Sequence, residues 1–213
     1  MSNFDILVPP LAEQRRIAAK LEPLLGSVDT YQKRLAKIPM ILKRFRQAVL
    51  AAACSGRLTV DWRKNNPQPE VVDDDAPDDA PEIPESWQWK KLSDISHVKG
   101  GVTKGRKFNG KMTILMPYLR VANVQDGYLD LAEIKEIEVL PEDKEKYALK
   151  AGDILFTEGG DRDKLGRGTV WHGEITDCIH QNHIFRARLF TDEANAEYAS
   201  IASKSDFSRK YFF

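Results

Sequence analysis

The residues best suited to chemistry lie in the stretch DILFTEGGDRDKLGRG, residues 153–168. The carboxylates of Glu158, Asp161 and Asp163 could bind a divalent cation or act as general acids. Basic residues alternate with these carboxylates, and they would pair with them or repel a metal ion. The composition of the stretch therefore argues against a catalytic acid cluster.

The same stretch does not match a phosphate-binding P-loop. Such a loop has four residues between its glycines and continues with Lys-Ser/Thr, whereas five residues separate Gly160 from Gly166 and Arg167-Gly168 follows. Two interpretations are left: a solvated hairpin, or a glycine-jointed basic arm that contacts a phosphate backbone or a groove of DNA. The arm would make its contacts through Arg162, Lys164 and Arg167.

A second basic segment, KGGVTKGRKFNGK, occupies residues 99–111 and combines five basic residues with four glycines. Glycine supplies reach and the cations supply attraction to a polyanion. Two such segments in one domain favour nucleic acid as the ligand of both. The predicted contacts in this segment are Lys104, Arg106 and Lys107.

The histidines do not have the spacing of a metal site. His180 and His183 are three residues apart on a predicted strand, which places them on opposite faces. Between them, Gln181 and Asn182 could read base edges, since a carboxamide can pair bidentately with adenine. They could equally be satisfied polar residues of a strand.

No enzyme motif is convincing. Glu133-Ile134-Lys135 matches the acidic-x-Lys end of a nuclease motif, but a chain with 30% charged residues produces this tripeptide easily by chance. A glycine-rich nucleotide fingerprint, a nucleophile elbow and the tetrapeptide that base methyltransferases use on flipped bases are all missing. The sequence predicts a non-catalytic protein that binds no metal or cofactor of its own.

The two cysteines, Cys54 and Cys178, have neither zinc-site nor disulfide spacing, which fits a reducing, cytoplasmic compartment. Cys54 is expected to be a small buried residue of a helix. Neither a run of 18 apolar residues nor a secretory signal is present, so no membrane partner is predicted.

A heptad pattern near the amino terminus predicts a long helix that pairs with another. Apolar residues recur at alternating steps of four and three, and a helix from Leu11 to Gly56 would be 46 residues and roughly 69 Å long. Pro23, Gly26 and Pro39 predict a bend or two pieces. An ordinary surface helix pair is the alternative. The predicted seam consists of Ile17, Leu21, Leu24, Val28, Tyr31, Leu35, Ile38, Leu42, Phe45 and Val49.

Charge and texture divide the rest of the chain. The net charge is zero, but residues 1–65 carry 12 bases against 5 acids, and residues 66–85 carry 8 acids and no base. We predict an α+β protein with a long coiled-coil-type helix at 1–57, an acidic, proline-rich linker with an extended, mobile centre at 58–86, and a mostly β domain at 87–213. Strands are predicted at 117–124, 153–158, 168–171 and 178–190, and a helix at the carboxyl end.

Several stretches together resemble the specificity subunits of type I restriction-modification enzymes. Two resemble the entry and exit of the family's conserved helix: VPPLAEQRRIAAKLEPLL (8–25) and KRFRQAVLAAACSGRLTVDWR (43–63). Others resemble a target recognition domain: IPESWQWKKLSDI (83–95), YLRVANVQDGYLDLAEIKEIEV (118–139), LKAGDILFTEGGD (149–161) and IHQNHIFRAR (179–188).

The resemblance implies a DNA-recognition subunit without catalytic activity. Its recognition domain would read half of a bipartite target in double-stranded DNA. Its helix would act as a ruler and dock the modification (methyltransferase) subunits. S-adenosylmethionine, ATP and Mg would be bound by the modification and restriction subunits.

A complete family member has two recognition domains and two conserved helices, whereas this chain has one of each, with the domain expected to continue beyond SRKYFF. We therefore expect a half-length or truncated subunit, and a homodimer through the long helix. The rival hypothesis is a coiled-coil adaptor whose β domain binds another protein.

Overall fold

The computed structural model describes residues 5–72, 76–158, 165–190 and 194–212. The chain divides into two compact units, Met1–Ala48 and Val49–Phe213. The first contains most of the amino-terminal helical segment, and the second contains the β region. The fold class is α+β, as the sequence predicts.

The heptad segment forms two helices, α1 (Leu11–Leu35, 25 residues) and α2 (Ile38–Cys54, 17 residues). Residues 36–37 form a turn between them. Pro39 lies in the first turn of α2, where its missing N–H donor breaks no helical hydrogen bond, whereas Pro23 is accommodated inside α1. The expectation of two pieces is confirmed.

The predicted linker at 58–86 is helical where it begins. Gly56 ends α2 in the left-handed conformation with φ of 73°, as expected of a helix carboxyl terminus. A 3-10 turn at Arg57–Thr59 and α3 (Val60–Asn65) follow directly. The first part of the predicted linker is therefore helical as far as Asn65.

The far end of this acidic segment returns to where it started. The Arg63 guanidinium lies 5.7 Å from the ring centroid of Trp87. A Cβ atom on Gly56 would lie 2.5 Å from Cγ of Pro84, so only glycine fits there. The described ends of the segment, near Arg63 and Trp87, therefore lie close together.

The β region contains two sheets. The strands are β1 Ser96–Gly100, β2 Ile114–Leu119, β3 Lys135–Val139, β4 Ile154–Thr157, β5 Gly168–Val170, β6 Ile179–His180 and β7 Ile184–Leu189. The four-stranded sheet has the order β1-β7-β4-β5 with antiparallel neighbours, and the three-stranded sheet has the order β3-β2-β6 with a parallel β2–β6 pair. The remaining helices are α4 Leu92–Ile95, α5 Pro141–Tyr147, α6 Ala196–Ala202 and α7 Asp206–Arg209, with 3-10 turns at Val121–Asn123 and Lys210–Phe212.

Buried apolar side chains from both sheets form the core. Leu119 of β2, Leu155 of β4 and Ile184 of β7 pack with Trp171, which is also buried. A second face of the four-stranded sheet, including Phe156, is covered by helix α6. This burial supplies most of the stability that holds the loops at the sheet edges in place.

Two strand predictions need correction. The segment 178–190 is not one strand: β6 belongs to the three-stranded sheet and β7 to the four-stranded sheet, with a turn at 181–183 between them. Ile184 N–H closes that turn onto the Gln181 carbonyl at 2.9 Å. The predicted strand 117–124 is β2 followed by a 3-10 turn. The predicted carboxyl-terminal helix is confirmed as α6.

Candidate nucleic-acid interface

The basic loop, defined as residues 101–113, lies directly beside the carboxamide turn, defined as residues 181–183. The Val102 N–H donates to the His180 carbonyl at 2.8 Å, and the Asn182 N–H donates to the Val102 carbonyl at 2.9 Å. A Cβ atom on Gly101 would lie 1.8 Å from the His180 carbonyl oxygen, so the approach requires glycine. Backbone pairing thus joins two segments that the sequence singles out independently.

The loop that follows β4 leaves from the same place. The Glu158 N–H donates to the His183 carbonyl at 3.0 Å. The chain returns at Gly166 and Arg167, whose backbones hydrogen-bond Thr157 at 3.0 and 2.9 Å. Two predicted contact residues of this loop, Arg162 and Lys164, lie outside the described residues. The described residue at the start of the loop, Glu158, lies next to the carboxamide turn.

Arg167, the third predicted contact of that loop, is half-buried. Its Nη1 donates to Gln125 Oε1 at 3.2 Å. The guanidinium is therefore oriented by a neighbouring side chain.

The turn that carries Gln125 is a part of the site that the sequence analysis missed. Val124 and Leu129 form an isolated antiparallel β-bridge, and the Gln125 N–H donates to the Tyr128 carbonyl at 3.0 Å. The Gly127 N–H donates to the Gly168 carbonyl at 3.0 Å. Tyr128 is 61% exposed beside this turn and offers a ring and a hydroxyl to a ligand. The Asp-Gly pair at 126–127 was the available signal, since it is typical of hairpin turns.

The three predicted contacts of the basic loop differ in their surroundings. Lys104 and Lys107 are exposed and form no ion pair within the described part of the chain. Arg106 instead donates from Nη1 to Asp143 Oδ2 at 2.6 Å. The loop therefore presents two lysines outward and holds one arginine inward.

The carboxamides of Gln181 and Asn182 are half-buried, and neither makes a side-chain hydrogen bond to another described residue. Their backbone groups are fixed, since the Gln181 N–H donates to the Leu119 carbonyl at 2.9 Å. Fixed backbone with unengaged carboxamides is the arrangement expected of groups that read base edges.

His180 is a core residue and His183 is exposed, so the two histidines do not converge. The ring Nδ1 of His180 lies 2.9 Å from the Ile184 carbonyl, and burial lowers the pKa of this imidazole to about 4. Among the described residues, no group of three or more His, Cys, Asp and Glu could hold a metal ion.

Arg186 and Arg188, two residues apart on β7, both donate to the Ala148 carbonyl at 2.9 Å. Arg188 also binds the buried Asp153 carboxylate from Nε and Nη2 at 2.6 and 2.7 Å. Replacing Arg188 alone would therefore leave the buried Asp153 carboxylate without its charged partner.

No protein-family model matches the sequence. The specificity subunit of the type I restriction enzyme EcoKI from Escherichia coli (strain K12) is 33% identical over 216 residues, covering 98% of this chain and 42% of that subunit. The StySPI specificity subunit from Salmonella potsdam is 32% identical over 218 residues, covering 99% of this chain and 42% of that subunit. This chain is a homologue of type I restriction enzyme specificity subunits.

The homologous region is 42% of the length of these specificity subunits. A chain from a structure concerned with complex assembly and conformational transition of the type I R-M system has a TM-score of 0.50 and 19% identity, covering 96% of this chain and 44% of that chain. This match supports a fold shared with that chain.

All ten predicted seam residues of this specificity-subunit homologue are exposed, with side chains between 39% and 67% accessible. The alternating steps of three and four continue in the sequence across the turn at 36–37, so α1 and α2 each carry an apolar stripe. An apolar stripe of this length on a helix surface is typical of a pairing surface.

The surroundings of Glu133 and of the two cysteines do not activate these residues for catalysis. Glu133 is exposed, and hydrogen bonds from Lys135 and Arg120 lower its pKa. Cys54 is half-buried at the end of α2, and burial raises the pKa of its thiol. Cys178 is buried, which raises its pKa to about 12. Neither thiol is activated as a nucleophile.

In the described part of the chain, no helix has the length and apolarity needed to cross a bilayer.

Proposed function

We propose that this chain is a DNA-recognition part of a type I restriction-modification system, reading one half of a bipartite target in double-stranded DNA. The observation that carries the proposal is the convergence of the basic loop, the carboxamide turn and the ends of the loop after β4 at one place in a homologue of specificity subunits. The chain itself catalyses no reaction.

The contacts divide by chemistry. Lys104 and Lys107 contact phosphates, because exposed ammonium groups suit a backbone that is charged but carries no sequence information. Gln181 and Asn182 contact base edges through their carboxamides. Arg162, Lys164 and Arg167 of the loop after β4 contact the phosphate backbone or a groove.

The partners follow from the exposed helix seam and from the homology to specificity subunits. The exposed seam pairs with a second heptad helix, supplied by another copy of the chain, and the helices also dock modification subunits, with the restriction subunit joining the assembly. S-adenosylmethionine, ATP and Mg are cofactors of those companion subunits. A DNA-restriction system acts in the cytoplasm, which is the location we propose.

The salt dependence of DNA binding tests this function. The affinity of the full chain for duplex DNA is measured between about 50 and 200 mM salt, the range over which phosphate contacts dominate the change. Replacing Lys104 and Lys107 by alanine is expected to reduce the log-log slope by roughly 0.9 per lost contact, or about 1.8 in total. The matched control replaces Lys64 and Lys135, which pair with Asp61 and Glu133 and lie outside the basic loop.

An unchanged slope in the Lys104 and Lys107 variant would remove the basic loop from the DNA footprint. A wild-type chain with no affinity for duplex DNA, even at low salt, would indicate the rival function, an adaptor that binds protein.

A further inference from the structure

The basic loop needs an anchor to hold its lysines in one place. Gly105 and Gly110 adopt left-handed φ values of 80° and 76°, and nothing lies within 4 Å of where their Cβ atoms would be. Such glycines give a loop many accessible conformations. Val102, buried at the start of the loop, fixes only that end.

Arg106 supplies a second attachment in the middle of the loop. Its Nη1 lies 2.6 Å from Asp143 Oδ2, and its guanidinium lies 5.6 Å from the Phe108 ring centroid. The Arg106 side chain is 35% exposed and that of Asp143 only 5%. The arginine is therefore directed toward the body of the domain.

Asp143 is itself rigidly held. It lies in the first turn of α5, and its Oδ2 also accepts the Leu140 N–H at 3.2 Å. A carboxylate fixed by a helix amino terminus is a firm acceptor, because its orientation does not depend on the arginine. The ion pair also offsets the charge of Arg106, which leaves the neighbouring lysines as the effective cations of the loop.

We infer that Arg106 is a positioning residue, tied by Asp143 so that Lys104 and Lys107 are held ready for phosphates. This inference rests on the proposed function. It reassigns Arg106, which the sequence predicts to be a direct DNA contact. Ordering the loop before binding lowers the entropic cost of complex formation.

The test separates the affinity for duplex DNA from the salt slope, using the whole 213-residue chain. Arg106→Ala is expected to weaken duplex binding by about fivefold, the effect of disordering a side-chain-rich loop, without changing the log-log slope. Lys107→Ala, the matched single replacement of a cation, should lower that slope by roughly 0.9. Arg106→Lys, which can keep the ion pair, should recover most of the affinity.

A second measurement does not depend on DNA. Backbone order parameters of residues 103–110 in the free chain should fall below about 0.6 in both Arg106→Ala and Asp143→Asn, from values typical of ordered backbone. Asp143→Asn keeps the size of the side chain and an oxygen acceptor for Leu140, which protects α5. In the double variant the loss of affinity should not exceed that of Arg106→Ala alone.

A fall of the slope by roughly 0.9 in Arg106→Ala would make Arg106 a direct phosphate contact and overturn the inference. Unchanged order parameters in both variants would overturn it as well, whether or not the chain binds DNA. A failure of the wild-type chain to bind duplex DNA would refute the proposed function alone, because the loop measurement still decides whether Arg106 anchors the loop.

Discussion

His180 should make the stability of the domain depend on pH. The side chain is 0% exposed, and its Nδ1 lies 2.9 Å from the Ile184 carbonyl, so the neutral ring with a proton on Nδ1 is the species that fits. Burial lowers the pKa of this imidazole from its usual 6.5 to about 4. Among its charged neighbours, Arg186 lowers the pKa further and Asp153 raises it.

The direction of the effect follows from proton uptake. Between pH 6.5 and about 4, His180 is protonated in the unfolded chain but neutral in the folded one. The unfolded state therefore binds more protons, and stability falls as the pH decreases through this interval. Above pH 6.5 the contribution is fully retained, and below about 4 the loss is complete. A difference of this size corresponds to about 3 kcal/mol in total, of which about 2 kcal/mol is lost by pH 5.

Urea unfolding followed by tryptophan fluorescence measures this loss, because Trp171 is buried in the same unit. The free energy of unfolding is compared between pH 7.5 and pH 5 for the wild-type chain and His180→Asn, whose amide can donate to the Ile184 carbonyl but does not titrate. The stability gap between the two should narrow by about 2 kcal/mol toward pH 5. The control His183→Asn replaces an exposed histidine and should follow the wild-type curve. Parallel curves for wild type and His180→Asn would refute the reasoning.

Two further predictions address the junction of the loops and the helix seam. Gly101→Ala should destabilise the chain by more than about 2 kcal/mol in chemical denaturation and weaken DNA binding, because the new methyl group would clash with backbone atoms. The control is Gly100→Ala, which should change the stability little, because its Cβ would have ordinary contacts of 3.5 Å or more. Equal effects of the two would contradict the close approach. Leu35→Asp should convert a dimer to a monomer in analytical ultracentrifugation, since a charge is not tolerated in an apolar helix pair, and Gln32→Asp, exposed beside the seam, should not. A wild-type chain that is monomeric at high concentration would refute pairing with a second copy.

The helices were predictable because their signal is local. Ten apolar residues at steps of three and four define a helix face without reference to the rest of the chain. Pro39 predicts an interruption of the helix. The break lies at the turn formed by residues 36–37, just before α2, and this position depends on backbone geometry. The sequence therefore predicts the helical form of this segment and the existence of an interruption, but not the position of the break.

The turn within the β region could not be predicted from local sequence patterns. Residues 178–190 have the apolar texture of one strand, and no glycine or proline marks a turn at 181–183. The chain turns there because β6 pairs with β2 and β7 pairs with β4, which are partners distant in sequence. The role of Arg106 was hidden for the same reason, since Asp143 is 37 residues away. Pairing over such distances leaves no pattern in a single sequence.

The same turn explains how segments that are distant in sequence come together. It is where the chain passes from the three-stranded sheet to the four-stranded sheet, so a loop attached to either sheet can reach it: the basic loop through Val102 and the loop after β4 through Glu158. The atoms that hold this junction are backbone groups, supported by the buried side chains of Val102, His180 and Ile184. The side chains of Lys104, Lys107, Gln181 and Asn182, which are proposed to contact DNA, take no part in that support within the described residues. A domain built this way can exchange its contact residues for others while its core is unchanged, which is the property required of a module whose function is to specify a DNA sequence.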